Sequence, residues 1–285
     1  MKKTIFLLSI VCLFVIVISN AIEVAANGAI TVSAPMTTDL SGKHGRLITQ
    51  STFRILVPSK NRSGTAFLHK SGKVITAAHI VKNCLSKDVI LVDYRKHSYK
   101  ITEIVSNSEY DLALLTSEIK IETPSLTISP SDTFLIGAQV TTWGFPSGYY
   151  GLVPLLSVGY LSGIDTVKTD SGKLMKRWVI NAAFNRGNSG GPLINIEDGT
   201  VIGVVSSKLA PIPAYIKSAI EALKNQKSGI LYTKTMTDGT TEKVSEGEII
   251  ADVLQHLRNQ TQLVIGHTVL LEDIKEFLKQ NGLEP

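Results

Sequence analysis

Between Arg46 and Lys208, short apolar runs alternate with turn residues at regular spacing. In "TAFLHKSGKVITAA", two such runs flank Ser71 and Gly72, which is the pattern of a β-hairpin. "DVILVDY" and "SYKITEIV" repeat this pattern around residues 95–97, and similar runs continue to "GTVIGVVSS". Many short strands joined by regular turns, with few helical windows between them, predict an all-β sandwich or barrel.

After residue 208 the periodicity becomes that of amphipathic helices. "AYIKSAIEALKNQ" and "SEGEIIADVLQHLRNQ" each place apolar residues on one helical face. In the second segment, Ser245 and Glu248 have capping-box spacing, which predicts where that helix begins. The apolar residues on these faces are Ile216, Ile220 and Leu223 in the first segment, and Ile249, Val253 and Leu257 in the second.

The C-terminal segment returns to strand character and then closes as a helix. "QLVIGHTVL" has the composition of a strand, and "LEDIKEFLKQNG" places Ile274, Phe277 and Leu278 on one helical face. Gly282 is the residue type that commonly follows a helix C-terminus, so we expect the helix to stop before it.

The N-terminus has the pattern of a secretory signal peptide. Two lysines precede the apolar run Ile5–Ile18, and small residues follow it. The run has 14 residues, fewer than the roughly 20 that a membrane-spanning helix needs. We therefore expect a signal peptide at 1–26, with cleavage after Ala21 or Ala26, and an uncleaved anchor as the alternative. The protein is expected to be exported, either periplasmic or secreted, with a flexible segment at 27–45.

Composition limits the function classes. Removing Lys2 and Lys3 leaves 27 of the 29 basic residues against 24 acidic ones, and they are scattered along the chain, so nothing favours nucleic-acid binding. Cys12 lies in the signal segment, which leaves Cys84 alone and excludes an intrachain disulfide after cleavage. No cysteine pair or histidine spacing indicates a metal site, and we expect no cofactor.

The stretch "FNRGNSGGPL" surrounds Ser189 with three glycines and a proline. A serine hydroxyl becomes a useful nucleophile only beside a base, and the base needs a group to orient it. His79 ends the apolar run "KVITAAH" at the predicted rim of a sheet, where an imidazole could act as a general base. Asp111 is the first residue of the apolar "DLALLTSE". Because burying an unpaired carboxylate is costly, a carboxylate at the start of a buried strand suggests that it has a partner. We interpret the histidines at 44, 69, 97 and 256 as solvated or half-buried.

Together, "TAAH" at 76–79, "DLALL" at 111–115 and "GNSGGPL" at 187–193 resemble the chymotrypsin-like serine proteases. The bacterial HtrA-type, DegP-like branch is the most similar, over about residues 50–208 and 262–281. The resemblance implies two six-stranded antiparallel β-barrels with a triad between them. In that triad Ser189 attacks the peptide carbonyl of a protein substrate, His79 is the base and Asp111 orients it.

The resemblance also implies roles for residues around the serine. The N–H groups of Gly187 and Ser189 would form the oxyanion hole. Ala183, with Phe184 beside it, would be the uncharged floor of the primary pocket, which favours cleavage after small or medium apolar residues. The strand containing Ser206, Ser207 and Lys208 would form the pocket wall and pair with the substrate backbone. Lys208 could instead recruit an acidic side chain.

The sequence also departs from the family pattern. Many members are activated when a new N-terminus pairs with an aspartate before the serine; Asn188 stands there, so we expect no such activation. We expect a protease domain at 46–285 without the PDZ domain that HtrA-type proteins usually carry. A helical insertion at about 209–262 falls beside the predicted pocket, where it would restrict access, bind a partner or simply pack on the second barrel.

Two other functions fit parts of the pattern. "GNSGG" matches the G-x-S-x-G elbow of α/β-hydrolases, and Asp252 and His267 would complete the order of an esterase triad. The chain lacks the alternating strands and helices of that fold before Ser189, which weighs against it. A non-catalytic, chaperone-like binding module with a protease fold is the second alternative, although all three triad positions are filled.

Overall fold

The computed structural model describes residues 44–169, 171–208, 214–225, 230–235, 240–260 and 264–285. The predicted signal peptide and nearly all of the predicted flexible segment lie outside these residues. A short helix, α1 (Gly45–Ser51), opens the described chain where the sequence pattern had not predicted a helix. In the part of the chain that is described, every helix is too short or too polar to cross a bilayer.

Six antiparallel strands close into the first barrel. They are β1 (Thr52–Val57), β2 (Arg62–Leu68), β3 (Val74–Thr76), β4 (Ile90–Val92), β5 (Ser98–Asn107) and β6 (Leu112–Ser117). Their order around the barrel is β1-β2-β3-β6-β5-β4. The predicted hairpin at Ser71 and Gly72 joins β2 to β3, with Gly72 at a φ of +82° that only glycine adopts cheaply. Helix α2 (Ala78–Val81) follows β3 after one residue.

A second closed barrel has six strands in the order β10-β11-β14-β9-β8-β7, all antiparallel. These results confirm the predicted pair of six-stranded barrels. The remaining strands, β12 and β13, form a separate two-stranded sheet. The bounds are β7 (Gln139–Gly144), β8 (Leu155–Lys168), β9 (Leu174–Asn181), β10 (Pro192–Asn195), β11 (Val201–Lys208), β12 (Leu231–Thr235), β13 (Thr241–Ser245) and β14 (Gly266–Leu270).

The insertion between β11 and β14 contains a helix, a hairpin and a second helix. Helices α3 (Ala214–Asn225) and α4 (Glu246–Gln260) confirm the two predicted amphipathic segments, and they pack against each other. The capping box is also confirmed: the Ser245 N–H donates to Glu248 Oε2 at 2.7 Å, and the Glu248 N–H donates to Ser245 Oγ at 3.2 Å. The hairpin β12–β13 was not predicted, because its residues are polar and mostly exposed.

Three apolar clusters hold the fold together. Two fill the barrels, and the third lies between them, where Phe67 and Leu114 of the first barrel meet Trp143 and Val204 of the second. The C-terminal helix α5 (Leu271–Gln280) packs into this third cluster. Burying one such side chain contributes about 2 kcal/mol, so this cluster fixes how the barrels face each other. The α5 residues predicted to face inward are buried: Ile274, Phe277 and Leu278.

Among the histidines whose side chains the structure describes, which leaves out His256, one departs from its expected environment. His69, at the end of the β2–β3 hairpin, is only 1% exposed, so the interpretation as a solvated or half-buried side chain is wrong for it. Its Nδ1 lies 2.9 Å from Ser71 Oγ. Burial lowers the pKa of His69 to about 4.

Replacing His69 with asparagine should make folding less sensitive to acid. The unfolded pKa of a histidine is about 6.5, above the folded value, so the unfolded chain binds the proton more readily and stability falls as pH drops through 6.5. Between about pH 7.5 and about pH 4.5, the wild type should lose about 2 kcal/mol more free energy of unfolding than His69→Asn, measured with urea. Equal losses in the two proteins would contradict this assignment.

Candidate active site

Asp111 and His79 are in direct contact at the edge of the first barrel. His79 lies in α2, just after β3, and Asp111 lies just before β6, which pairs with β3. His79 Nδ1 is 3.0 Å from both Oδ1 and Oδ2 of Asp111. The His79 backbone N–H also donates to Oδ1 at 3.0 Å. The carboxylate therefore fixes both the position and the ring orientation of His79 and leaves Nε2 for another partner.

The backbone of Asp111 is strained. Its φ of +60° lies in the left-handed region, which costs a non-glycine residue about 1–3 kcal/mol. The strained turn directs the Asp111 carbonyl to the N–H of Ala78 at 3.1 Å while the carboxylate meets His79. Main chain and side chain of one residue thus both hold the short helix α2.

Ser189 lies in the loop between β9 and β10, and this loop rests on Thr65 of the first barrel. The Thr65 N–H donates to the Ser189 carbonyl at 2.9 Å, and Thr65 Oγ1 donates to the Gly187 carbonyl at 2.7 Å. The same Oγ1 accepts the N–H of Phe145 at 3.0 Å. Thr65 is fully buried, so each of these bonds is shielded from water. Thr65 of the first barrel therefore fixes the position and direction of the loop between β9 and β10, which we call the serine loop.

Two glycines make this close approach possible. Gly187 has a φ of +100° and Gly190 a φ of +82°. A Cβ at Gly187 would collide with the carbonyl oxygen of Phe145, and one at Gly190 with the carbonyl oxygen of Thr65. The glycine-rich composition around Ser189 is therefore required by the path of the main chain.

The peptide between Arg186 and Gly187 has a defined orientation. The Ser147 N–H donates to the Arg186 carbonyl at 2.6 Å. Carbonyl and N–H of a trans peptide point in opposite directions, so the Gly187 N–H is turned away from Ser147. Among the residues described, neither the Gly187 N–H nor the Ser189 N–H donates to a protein acceptor.

His79, Asp111 and Ser189 line one cavity of about 480 Å³, which we call the triad cavity. The Ser189 hydroxyl donates to the Ser206 carbonyl at 3.0 Å rather than to His79. The Ser206 hydroxyl donates to Asp111 Oδ2 at 2.5 Å. Ser206, in β11 of the second barrel, therefore contacts both the carboxylate of the first barrel and the predicted nucleophile.

Arg177 is a second link between the barrels, and sequence reasoning missed it. It lies in β9, is 4% exposed, and lines the triad cavity. Its Nη2 donates to the carbonyls of Glu109 at 3.0 Å and Tyr110 at 3.1 Å, directly before Asp111. Its Nη1 donates to Asp273 Oδ2 in α5 at 3.1 Å. The guanidinium therefore clamps the segment that carries Asp111.

Burial of the Arg177–Asp273 ion pair shifts the pKa values of both side chains. Burial lowers the pKa of Arg177 and raises the pKa of Asp273, while their mutual attraction opposes both shifts. The charge of Asp111 also favours the cationic form of Arg177 and acts to raise its pKa. The signal in the sequence was an arginine inside the apolar strand "LMKRWVIN", since a buried arginine needs acceptors from elsewhere in the fold.

The residues predicted to form the pocket floor do not line the triad cavity. The Ala183 side chain is exposed, and its carbonyl accepts Ser157 Oγ at 3.2 Å and Asn188 Nδ2 at 3.3 Å. Phe184 is 1% exposed and belongs to the apolar core of the second barrel. Its ring lies against Gly266, where a Cβ would collide with it. Phe184 therefore fills the space beside β14.

The predicted pocket wall is part of β11. Ser206 lines the triad cavity, as described above. The backbones of Ser207 and Lys208 pair with His267 and Gly266 of β14. The side chains of Ser207 and Lys208 lie outside the described part of the chain, so their predicted contacts remain predictions.

The alternative esterase triad is not assembled. His267 Nε2 lies 3.1 Å from Asp165 Oδ2, and burial lowers the pKa of His267. Asp252, in α4, instead lies 3.4 Å from Lys234 Nζ. The residue after the serine loop begins a strand, β10, whereas a nucleophile elbow leads into a helix. The α/β-hydrolase interpretation is therefore wrong.

Comparison with known families agrees with this geometry. Residues 64–204 match the model of the trypsin-like peptidase domain, and this span contains His79, Asp111 and Ser189. The chain carries a trypsin-like peptidase domain. Its described barrels supply both halves of the cleft in which the three side chains lie.

Curated relatives of this peptidase domain are HtrA- and DegP-like. One is a probable periplasmic DegP-like serine endoprotease of Chlamydia muridarum, 34% identical over 54% of this chain and 30% of the relative. Another is the human serine protease HTRA4, 32% identical over 58% of this chain and 33% of the relative. The chain thus spans about a third of the length of these relatives. The active form of the Rv3671c protease from M. tuberculosis has the same fold, with a TM-score of 0.51, 20% identity, and coverage of 80% of this chain and 90% of that one.

Thr65→Val should disable the serine loop of the peptidase domain. Valine keeps the shape of threonine but leaves the Gly187 carbonyl and the Phe145 N–H without their buried partner, which costs about 1–3 kcal/mol for each group. A shift of the loop by about 1 Å can lower kcat/KM by roughly 10²-fold. Thr65→Ser, which keeps the hydroxyl, is the matched control for peptide turnover. Equal kcat/KM in the two variants would rule out this role of the hydroxyl.

Arg177→Gln should lower the kcat of the peptidase domain by about 10²-fold, because the segment before Asp111 loses its clamp. Lys173→Gln is the control: Lys173 forms an exposed ion pair with Glu109 at 3.0 Å, and such pairs contribute little. Its kcat should remain close to that of the wild type. An equal loss of kcat in both variants would mean that the loss comes from the change in net charge and not from the lost clamp.

Proposed function

We propose that this chain is a serine endopeptidase that hydrolyses peptide bonds of protein substrates through an acyl-enzyme on Ser189. One observation carries the proposal. The carboxylate of Asp111 is held between His79 of its own barrel and Ser206 of the other, in the cavity that also contains Ser189. The relatives named as a serine endoprotease and a serine protease support the same activity.

In the proposed reaction, Ser189 Oγ bonds to the substrate carbonyl carbon while His79 Nε2 takes the hydroxyl proton. The carbon–nitrogen bond then breaks, and His79 returns the proton to the leaving amine. Water then attacks the acyl-enzyme in the same two steps, with His79 again taking and returning a proton. The acyl half of the substrate leaves as a carboxylic acid. Asp111 keeps the proton of the neutral imidazole on Nδ1 and stabilises the imidazolium, and the two 3.0 Å contacts support this role.

The proposed oxyanion hole consists of the N–H groups of Gly187 and Ser189. The bond from Ser147 to the Arg186 carbonyl supports it, because that bond keeps the carbonyl away from the site that the Gly187 N–H faces. Asn188 carries no charge to pair with a new N-terminus. We therefore propose that the loop is formed without proteolytic activation.

For specificity, we propose cleavage after small or medium apolar residues. The ring of Phe184 supports this, because it fills space beside β14 that a deep pocket would need. The acyl half of the substrate would pair, as an added strand, with the C-terminal end of β11, which extends past its pairing with β10. We also propose that the protein is exported, which its signal-like N-terminus and the relatives named as periplasmic support.

Peptide binding without hydrolysis is the second candidate function. It is favoured by the hydrogen bond from the Ser189 hydroxyl to the Ser206 carbonyl, which leaves the hydroxyl unbonded to His79 among the residues described. A hydroxyl exchanges between staggered rotamers, and catalytic hydrogen bonds commonly tighten only when substrate is bound. Labelling of the serine separates the two functions.

The wild type should react with a fluorophosphonate probe and degrade casein, and Ser189→Ala should do neither. Asp111→Asn should keep the fold and lower kcat by about 10⁴-fold, because the imidazole then favours the wrong tautomer. Circular dichroism would verify that both variants fold. A folded wild type that takes up no label would favour the binding module, and labelling with ester turnover but no peptide cleavage would favour an esterase.

A further inference from the structure

A second cavity of about 400 Å³ adjoins the triad cavity. Its walls are the end of β1 and the start of β2 in the first barrel, and residues 145–150 after β7 in the second. Arg186, just before Gly187, lines both cavities. The two spaces are therefore neighbours on either side of one exposed side chain of the serine loop. We call the second space the arginine cavity.

The arginine cavity carries three positive charges and no lining carboxylate. The charges belong to Arg54, Arg62 and Arg186, and no aspartate or glutamate lines the cavity. Arg54 Nη2 donates to the carbonyls of Tyr149 at 2.8 Å and Gly151 at 2.9 Å. These acceptors are neutral, so they position the guanidinium without cancelling its charge.

Arg62 and Arg186 are also uncompensated. Arg62 Nη1 donates to the carbonyls of Lys82 at 2.8 Å and His79 at 3.4 Å, which are again neutral. Within the described residues, none of the three arginines forms an ion pair with a carboxylate. Arg177 in the triad cavity differs, because Asp273 balances it.

The position of the arginine cavity relative to Ser189 indicates which part of a substrate reaches it. The acyl half of a peptide is proposed to pair with β11, and Ser206 of β11 lines the triad cavity. No residue of β11 or β14 lines the arginine cavity, which lies beyond Arg186. A peptide that crosses Ser189 from β11 therefore enters the arginine cavity with the residues after its scissile bond.

We propose that the arginine cavity binds a carboxylate side chain of the substrate, carried by one of the first residues after the scissile bond. A guanidinium matches a carboxylate with two parallel N–H donors, and three arginines without an acidic neighbour select against a basic residue. This inference rests on the proposed peptidase function. It concerns the leaving half of the substrate, whereas the apolar preference concerns the acyl half.

The test uses two pairs of peptides that differ only in glutamate against glutamine. One pair carries the exchange two residues after the scissile bond, and the other carries it two residues before. For the first pair, kcat/KM should be about 10-fold higher with glutamate at low salt and should fall toward about twofold at 1 M salt. The rate of deacylation should be equal for both peptides, because the leaving half has gone by then.

Variants connect the preference to the cavity. Arg186→Gln and the double variant with Arg62→Gln should reduce the glutamate-to-glutamine ratio for the first pair stepwise toward one. Arg46→Gln, an exposed arginine of α1 that lines neither cavity, is the matched control and should keep the wild-type ratio. The ratio is taken within each variant, so a general loss of activity does not affect it.

Three outcomes would overturn the proposal. They are equal cleavage of the first pair by the wild type, a glutamate preference confined to the acyl half, and an unchanged ratio in the double variant. Each leaves the peptidase function intact, because the peptides are still cut. Failure to cleave any of the four peptides, glutamine forms included, would instead contradict the proposed function itself.

Discussion

The site depends on the contact between Thr65 and the serine loop. His79 and Asp111 belong to one barrel and Ser189 to the other, so the three side chains meet only if the barrels keep a fixed relative position. Thr65 provides this with three buried hydrogen bonds, to Ser189, Gly187 and Phe145. Because the loop carries both the Ser189 hydroxyl and the N–H groups of Gly187 and Ser189, the same contact positions the proposed nucleophile and the proposed oxyanion hole.

Charge imposes a second constraint on the cleft. A carboxylate that is only 17% exposed must be surrounded by donors, and Asp111 receives them from His79 and Ser206. Behind it, Arg177 holds the preceding backbone and is balanced by Asp273. Buried charges are costly unless each has its partners, so the strained turn at Asp111 persists because several elements over-determine it.

The strand pattern predicted an all-β sandwich or barrel, and the resemblance carried by the motifs around His79, Asp111 and Ser189 implied the two barrels, because strand alternation and short motifs are local signals. Thr65 and Arg177 could not be found in this way. Thr65 lies 122 residues from Gly187 along the chain, and Arg177 lies 67 residues from Tyr110, so their partners depend on how the barrels pack. The hairpin β12–β13 was missed for the opposite reason: its polar, exposed residues carry no burial pattern. The predicted position of Ala183 in the pocket floor was not met for a similar reason: its distance from Ser189 along the chain says little about which cavity it faces.

A crystal structure of the chain after reaction with a peptidyl phosphonate tests the central claim most directly. The account predicts phosphorus bonded to Ser189 Oγ and a phosphoryl oxygen about 3 Å from the N–H groups of Gly187 and Ser189. Asp111 should still hold His79, and Thr65 should keep its bonds to the loop. An unmodified Ser189 that remains hydrogen-bonded to Ser206, or a phosphoryl oxygen facing the Arg186 carbonyl, would contradict it.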